Sequence, residues 1–154
     1  MVESDAQHAY ELNLDPEVIK YTGDASFENI KEARDFLINY DHYKKYGFGR
    51  WAVIRKLDEV FLGWCGIKYN PELDEYDIGF RFFKKYWGKG YATESAKACI
   101  DWVFQNIDTK EIIGRAMPQN IASYKVLEKV GLKHYKTIEM EHGQLLIYKI
   151  CDGF

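Results

Sequence analysis

The chain lacks the marks of several protein classes. Its three cysteines, Cys65, Cys99 and Cys151, are odd in number and far apart, which argues against a disulfide framework or a paired-cysteine zinc site. Set among apolar neighbours, they read as buried, reduced thiols of a cytosolic protein. The four histidines, His8, His42, His134 and His142, show no metal-ligand spacing, so no metal is expected. No apolar run approaches the length that crosses a bilayer, and the opening MVESDAQHAYELN has no apolar signal core. A soluble, cytoplasmic protein without membrane attachment is expected. Excess positive charge is missing too: a net charge of −3 argues against nucleic-acid recognition through a basic surface. No linker, repeat or low-complexity segment interrupts the 154 residues, and that length is one domain, 1–154.

What is present is a well-patterned globular sequence. Hydrophobic residues make up 47% and aromatics 16%, enough to build a packed core. Asp5–Asn13 reads as a short helix and 26–46 as a longer one, with Ser26 as N-cap and Ala33, Phe36, Leu37 and Tyr40 at helical spacing. DPEVIKYTG between them reads as a loop because of Pro16 and Gly23. From Arg50 the period changes to two, and RWAVIRK, VFLGWCGIKY and EYDIGFRF read as an antiparallel meander. A helix then runs to Asn106, EIIGRAM is a strand, and QNIASYKVLEKVG is a helix closed by Gly131. LKHYKTIEM and QLLIYKIC form a final hairpin.

One stretch stands apart. In YWGKGYATES, Gly88 and Gly90 flank Lys89 just before helix-forming sequence. The first turn of a helix offers unpaired N–H groups and the positive end of the dipole, and glycine lets an anion approach them. The spacing is not that of a P-loop, and Thr93 stands where a dinucleotide fingerprint would place its third glycine. Taken alone, the two glycines fit a plain strand-to-helix turn as well as a phosphate cradle.

The wider segment EYDIGFRFFKKYWGKGYATES resembles the acetyl-coenzyme A signature of the GNAT superfamily of N-acetyltransferases, and is most similar to its RimJ/RimL-type branch. Trp87, Gly90 and Ala92 occupy the three positions of the superfamily pattern, Trp87 departing from its usual Gln or Arg as is common in that branch. A second block, NIASYKVLEKVGL, resembles a downstream segment of the same branch. The resemblance implies an α/β (α+β) fold, a twisted mixed sheet flanked by helices. It also implies acetyl-CoA as co-substrate, with its pyrophosphate held by backbone N–H groups of Trp87, Gly88, Lys89, Gly90, Tyr91, Ala92 and Thr93. In the family the acetyl carbonyl is held by backbone of the preceding strand, here Phe80, Arg81 and Phe82. Asn120 would bond the pantetheine arm and Ser123 would lie near the thioester sulfur, although both residue types also cap helices near their starts.

Family members commonly carry a tyrosine acid seven residues after the asparagine; here that residue is Leu127, leaving Ser123, directly or through water, or Tyr124 to protonate the leaving thiolate. Asp77 stands first among base candidates, followed by Glu75, Glu139 and Glu141, each of which has the ordinary alternative of a surface carboxylate. The cysteines, in apolar surroundings, are core residues rather than nucleophiles. Tyr21 and Trp51 would border the acceptor site, which the early helices wall in this family. Family members usually open with a strand before the first helix; this sequence begins almost inside that helix, so the expectation is either that the strand is absent or that the start is misplaced. The implied reaction is direct acetyl transfer to a primary amine, by branch a protein or peptide N-terminus, by a monomer or homodimer. A small amine such as a polyamine, amino acid or antibiotic is the alternative acceptor, and a non-catalytic acyl-CoA sensor the alternative role.

Overall fold

The computed structural model describes residues 1–153. A 3₁₀ turn over Glu3–Asp5 leads into α1 (Ala6–Leu14), and α2 (Pro16–Ile19), α3 (Ile30–Asn39) and α4 (His42–Tyr46) follow. Next come β1 (Arg50–Arg55), β2 (Val60–Asn70), β3 (Glu75–Phe82), a 3₁₀ turn over Lys84–Tyr86, and α5 (Tyr91–Asn106). β4 (Glu111–Ala116), α6 (Ile121–Lys129), β5 (Lys133–Met140) and β6 (Gly143–Cys151) complete the order.

The early region departs from the sequence expectation in three places. The supposed loop after α1 holds α2, because Pro16 pre-sets the first helical φ while the Asp15 side chain accepts from the Glu17 N–H at 2.9 Å. The long helix begins later, since Asn29 and not Ser26 caps it by accepting from the Glu32 N–H at 2.9 Å. That helix also breaks at Tyr40, which turns to an extended conformation while its hydroxyl accepts the Arg50 N–H at 3.0 Å. This contact with β1 is tertiary and leaves no periodic trace. Cys65 and Cys99 are buried as expected, whereas Cys151, ending β6, is exposed.

The strands form one mixed sheet in the order β1-β2-β3-β4-β6-β5. All neighbours are antiparallel except β3 and β4. Alternation along β2 sorts its side chains between two layers. Cys65 and Ile67 join Ile78, Ala96, Cys99, Ile100, Val103 and Leu127 in the main core under α5 and α6. Trp64 points the other way, to Leu12 of α1 and Val18 of α2. α3 packs on α1 through the small residues Ala6, Ala9 and Ala33 with Leu37.

α6 lies close on β4 because Gly114 has no side chain. A Cβ there would stand 2.8 Å and 2.9 Å from the two methyl carbons of Leu127, which is itself 1% exposed. Gly114→Ala is expected to destabilise the protein by about 1–3 kcal/mol through overpacking. Leu127→Ala should cost about 2–5 kcal/mol through the cavity it leaves. The double variant should cost less than the sum, because the added methyl enters the space the leucine vacates. Urea unfolding of the four proteins checks this, and strict additivity would refute the close approach.

Candidate active site

The site is built where two strands part. β2 and β3 are paired over eight positions from Gly63↔Phe82 to Asn70↔Glu75, but β3 and β4 only at Asp77↔Ile113 and Ile78↔Gly114. Beyond Ile78, β3 continues along β2 while β4 diverges. The Phe83 N–H donates to the Leu62 carbonyl at 3.1 Å, so by alternation the peptide groups of Arg81 also face β2, and those of Phe80 and Phe82 face the gap. The Phe82 carbonyl is occupied by the Trp87 indole N–H at 2.9 Å. The N–H groups of Phe80 and Phe82 are thus the donors that the gap presents; the Arg81 N–H belongs to the ladder.

The glycine turn enters the same gap. Gly88 and Gly90 have φ of +73° and +85°, and a Cβ built at either position meets nothing within 4 Å. The constraint on them is therefore backbone handedness, together with open space where a ligand can approach. α5 starts at Tyr91 with no side-chain cap, and its first helical bond is Glu94 N–H to the Gly90 carbonyl at 3.0 Å. Among the described residues, no carbonyl or side chain accepts from the N–H groups of Gly88 to Thr93, whereas the Trp87 N–H, expected among the donors, is spent on the Lys84 carbonyl at 3.0 Å. A row of unsatisfied donors at the positive end of a sixteen-residue helix suits the pyrophosphate of coenzyme A.

A cavity of about 590 Å³ runs through the gap. On the α5 side its wall includes Trp87, Gly88, Gly90, Tyr91, Ala92 and Thr93 with Asn120 and Ser123; on the α2 side it includes Glu17, Lys20, Tyr21 and Thr22. Phe80, Arg81 and Phe82 lie between. Most residues singled out in the sequence are therefore brought together. Asn120 is at once wall and cap, since its side chain accepts the Ser123 N–H at 3.3 Å.

Lys89, Trp51, Tyr124 and Asp77 do not line this cavity, and neither do the other base candidates Glu75, Glu139 and Glu141. Trp51 packs edge-on against Trp102 of α5 at 5.2 Å, and the Tyr124 ring lies parallel to Tyr148. Leu127, where the family often has its acid, faces the core and not the cavity. Asp77 accepts from Arg115 Nη1 at 2.6 Å, while Nη2 of the same guanidinium reaches Glu75 at 2.6 Å. This triad bridges β4 to β3 beside the last paired residues, where it resists further parting. Cys65 and Cys99 meet at 3.8 Å between their sulfurs, and the contact with Cys99, followed by burial, pushes the Cys65 thiol up, away from nucleophile range.

Sequence reading had no means of finding Glu17, Lys20 and Thr22, which are charged or polar residues of an unremarkable segment until α2 folds over β2. Lys125 and Lys129 also line the cavity, and their four-residue spacing was the signal for a shared face.

The family described as Acetyltransferase (GNAT) domain matches residues 1–133. The uncharacterised protein YkkB of Bacillus subtilis is 32% identical over 138 residues, covering 88% of this chain and 79% of YkkB. Among solved structures, the ribosomal-protein-S5-alanine acetyltransferase of Vibrio fischeri superposes with a TM-score of 0.84 at 16% identity, covering 99% of this chain and 90% of its own. The spermidine N-acetyltransferase of Vibrio cholerae, in complex with CoA and spermine, gives 0.83 at 14% identity, covering 98% and 92%. At these identities the two structures show likeness of fold.

Burial raises the Asp77 carboxyl pKa, against the pull of Arg115. The folded protein thus holds this proton more tightly than the unfolded chain, and Asp77 lowers stability as pH rises from the ordinary carboxylate pKa of about 3.9 through the raised folded value. Asp77→Asn removes that titration. Its stability relative to wild type should rise across this window and level off above it, as measured by urea unfolding at a series of pH values. A constant difference would show that Asp77 titrates as it does in the unfolded chain.

Proposed function

The chain belongs to the GNAT acetyltransferase family and is an acetyl-CoA-dependent N-acetyltransferase, and from that premise we propose that its acceptor is the free α-amine of a protein or peptide, as in the RimJ/RimL-type branch. The observation that carries this reading is the charge of the cavity wall. On the acceptor side that wall offers one carboxylate among the described residues, Glu17, beside Lys20 and the Asp24-paired Arg81, while Lys125 and Lys129 stand on the co-substrate side. A polyamine or an aminoglycoside brings several positive charges, which a single carboxylate does not match; a peptide terminus brings one reactive amine followed by neutral backbone. In this reading residues 1–154 form one N-acetyltransferase domain.

Acetyl-CoA supplies the activated acyl group, and the protein supplies position and electrostatics. The N–H groups from Gly88 to Thr93 hold the pyrophosphate, and Lys125 and Lys129 add charge near it. The Phe80 and Phe82 N–H groups stand where strand divergence leaves them unpaired, the arrangement needed to stabilise the oxyanion that develops on the thioester carbonyl. Ser123 protonates the departing thiolate, directly or through water. We assign the amine's proton to water leading to Glu17, because Asp77 is engaged by Arg115 and does not line the cavity.

Calorimetric titration with acetyl-CoA should give saturable binding to the wild type and none to Gly90→Glu, which strains a positive φ and sets a carboxylate against the pyrophosphate. Normal binding by that variant would remove the cradle. Thiol release should follow addition of an alanine-initiated hexapeptide rather than spermine or kanamycin; the opposite preference would overturn the acceptor assignment. With the active amine, Ser123→Ala should lower kcat by about 10²-fold. Glu17→Gln should lower kcat/KM by about 10²-fold, while Asp77→Asn leaves it within about twofold.

A further inference from the structure

Arg81 is the deeply buried charge of this fold. Its side chain is 8% exposed, on the β3 face opposite α5. Nη1 donates to the Asn13 side-chain oxygen near the end of α1 at 2.7 Å, and Nη2 to Asp24 in the loop after α2 at 2.7 Å. The guanidinium lies over Trp64 at 5.4 Å, and Arg50 lies over the same indole at 4.6 Å. Nε has no partner. A cation so far out of water needs an anion, and the nearby Arg50 adds repulsion. Asp24 is the carboxylate that answers it, and the Asp24 side chain remains 49% exposed.

The position of Asp24 matters because the segment 20–29 has neither helix nor strand to hold it. Its own bonds are local: the Thr22 N–H and hydroxyl both donate to the Ile19 carbonyl, and the Asp24 N–H donates to the Thr22 hydroxyl oxygen. Among the described residues, the bond to Arg81 is the side-chain hydrogen bond that ties 20–26 to the sheet. The same segment carries Lys20, Tyr21 and Thr22 into the cavity wall.

We propose that Arg81 and Asp24, steadied by Asn13, form a latch that sets the acceptor-side wall of the cavity, so that both are positioning residues governing how tightly the amine is held. The desolvated end of the pair is rigid, on a strand paired along its length with β2. The half-exposed end sits on the loop, so Asp24, and not the buried Arg81, is the end that can swing toward water. The kinetic consequence rests on the acetyltransferase reading above; the structural one stands without it.

Asp24→Asn in the full chain removes the anion and keeps the shape. Hydrogen–deuterium exchange should quicken several-fold in 20–26 and stay at wild-type rates in β2 and α5, a pattern that also certifies folding. With the alanine-initiated hexapeptide as probe, KM should rise about tenfold while kcat and the acetyl-CoA dissociation constant stay within about twofold. Asp24→Glu should restore both exchange and KM. Wild-type exchange in 20–26 would overturn the latch, and so would a lowered Tm with unchanged loop exchange and KM, which marks a purely structural ion pair. If the wild type turns over no amine at all, the acceptor reading fails, and the exchange measurement still decides the latch.

Discussion

The divergence of β3 from β4 is the constraint on which the rest of the structure depends. A sheet normally satisfies the peptide groups on both sides of an interior strand, and β3 gives up one side after Ile78. The parting opens the cavity between the layers and leaves the Phe80 and Phe82 N–H groups facing it as rigid backbone donors, while the Phe82 carbonyl is taken by Trp87. The parting must also be held to one extent. Arg115 does this by reaching from β4 back to Asp77 and Glu75, while Trp87 closes the far end of β3 through the Phe82 carbonyl.

The two layers have different jobs around this gap. On one side, α5 and α6 sit on the main core, and close packing of Leu127 on Gly114 brings the start of α6 beside the start of α5. Two helix starts therefore converge on one cavity, with an electrostatic environment suited to a long anionic co-substrate. On the other side the layer is thinner. α1 and α2 touch the sheet through Leu12 and Val18 on Trp64, and residues 20–26 are tied to the sheet by a buried cation, with Phe27 beyond them packed on the α1–α3 cluster. Fixed geometry on the co-substrate side and a lightly tethered wall on the acceptor side is a division that lets one scaffold serve different acceptors.

Asp77 illustrates how chemistry and architecture compete for the same residue type. A carboxylate on the strand beside the reacting centre is an obvious base by sequence. In the folded chain it faces away from the α5 layer, where Arg115 claims it and burial disfavours its charge. It ties β3 to β4 through Arg115 and does not line the cavity.

The sequence by itself determined the element types from Arg50 onward, because strands of period two and helices of period 3.6 record which side of each element is buried. It also determined the glycine turn at the start of α5, since Gly88, Gly90 and the helix behind them act through backbone over a few adjacent residues. Local chemistry of this kind is written in consecutive positions. The break at Tyr40, the placing of Trp51 against Trp102, the pairing of Asp77 with Arg115 and the tie from Arg81 to Asp24 were decided by tertiary structure. Each joins residues far apart in the chain, and each side chain had an equally good local alternative on a solvated surface. Only the stacking of α1 and α2 on one face of the sheet, and the departure of β4 from β3, determined which alternative was taken.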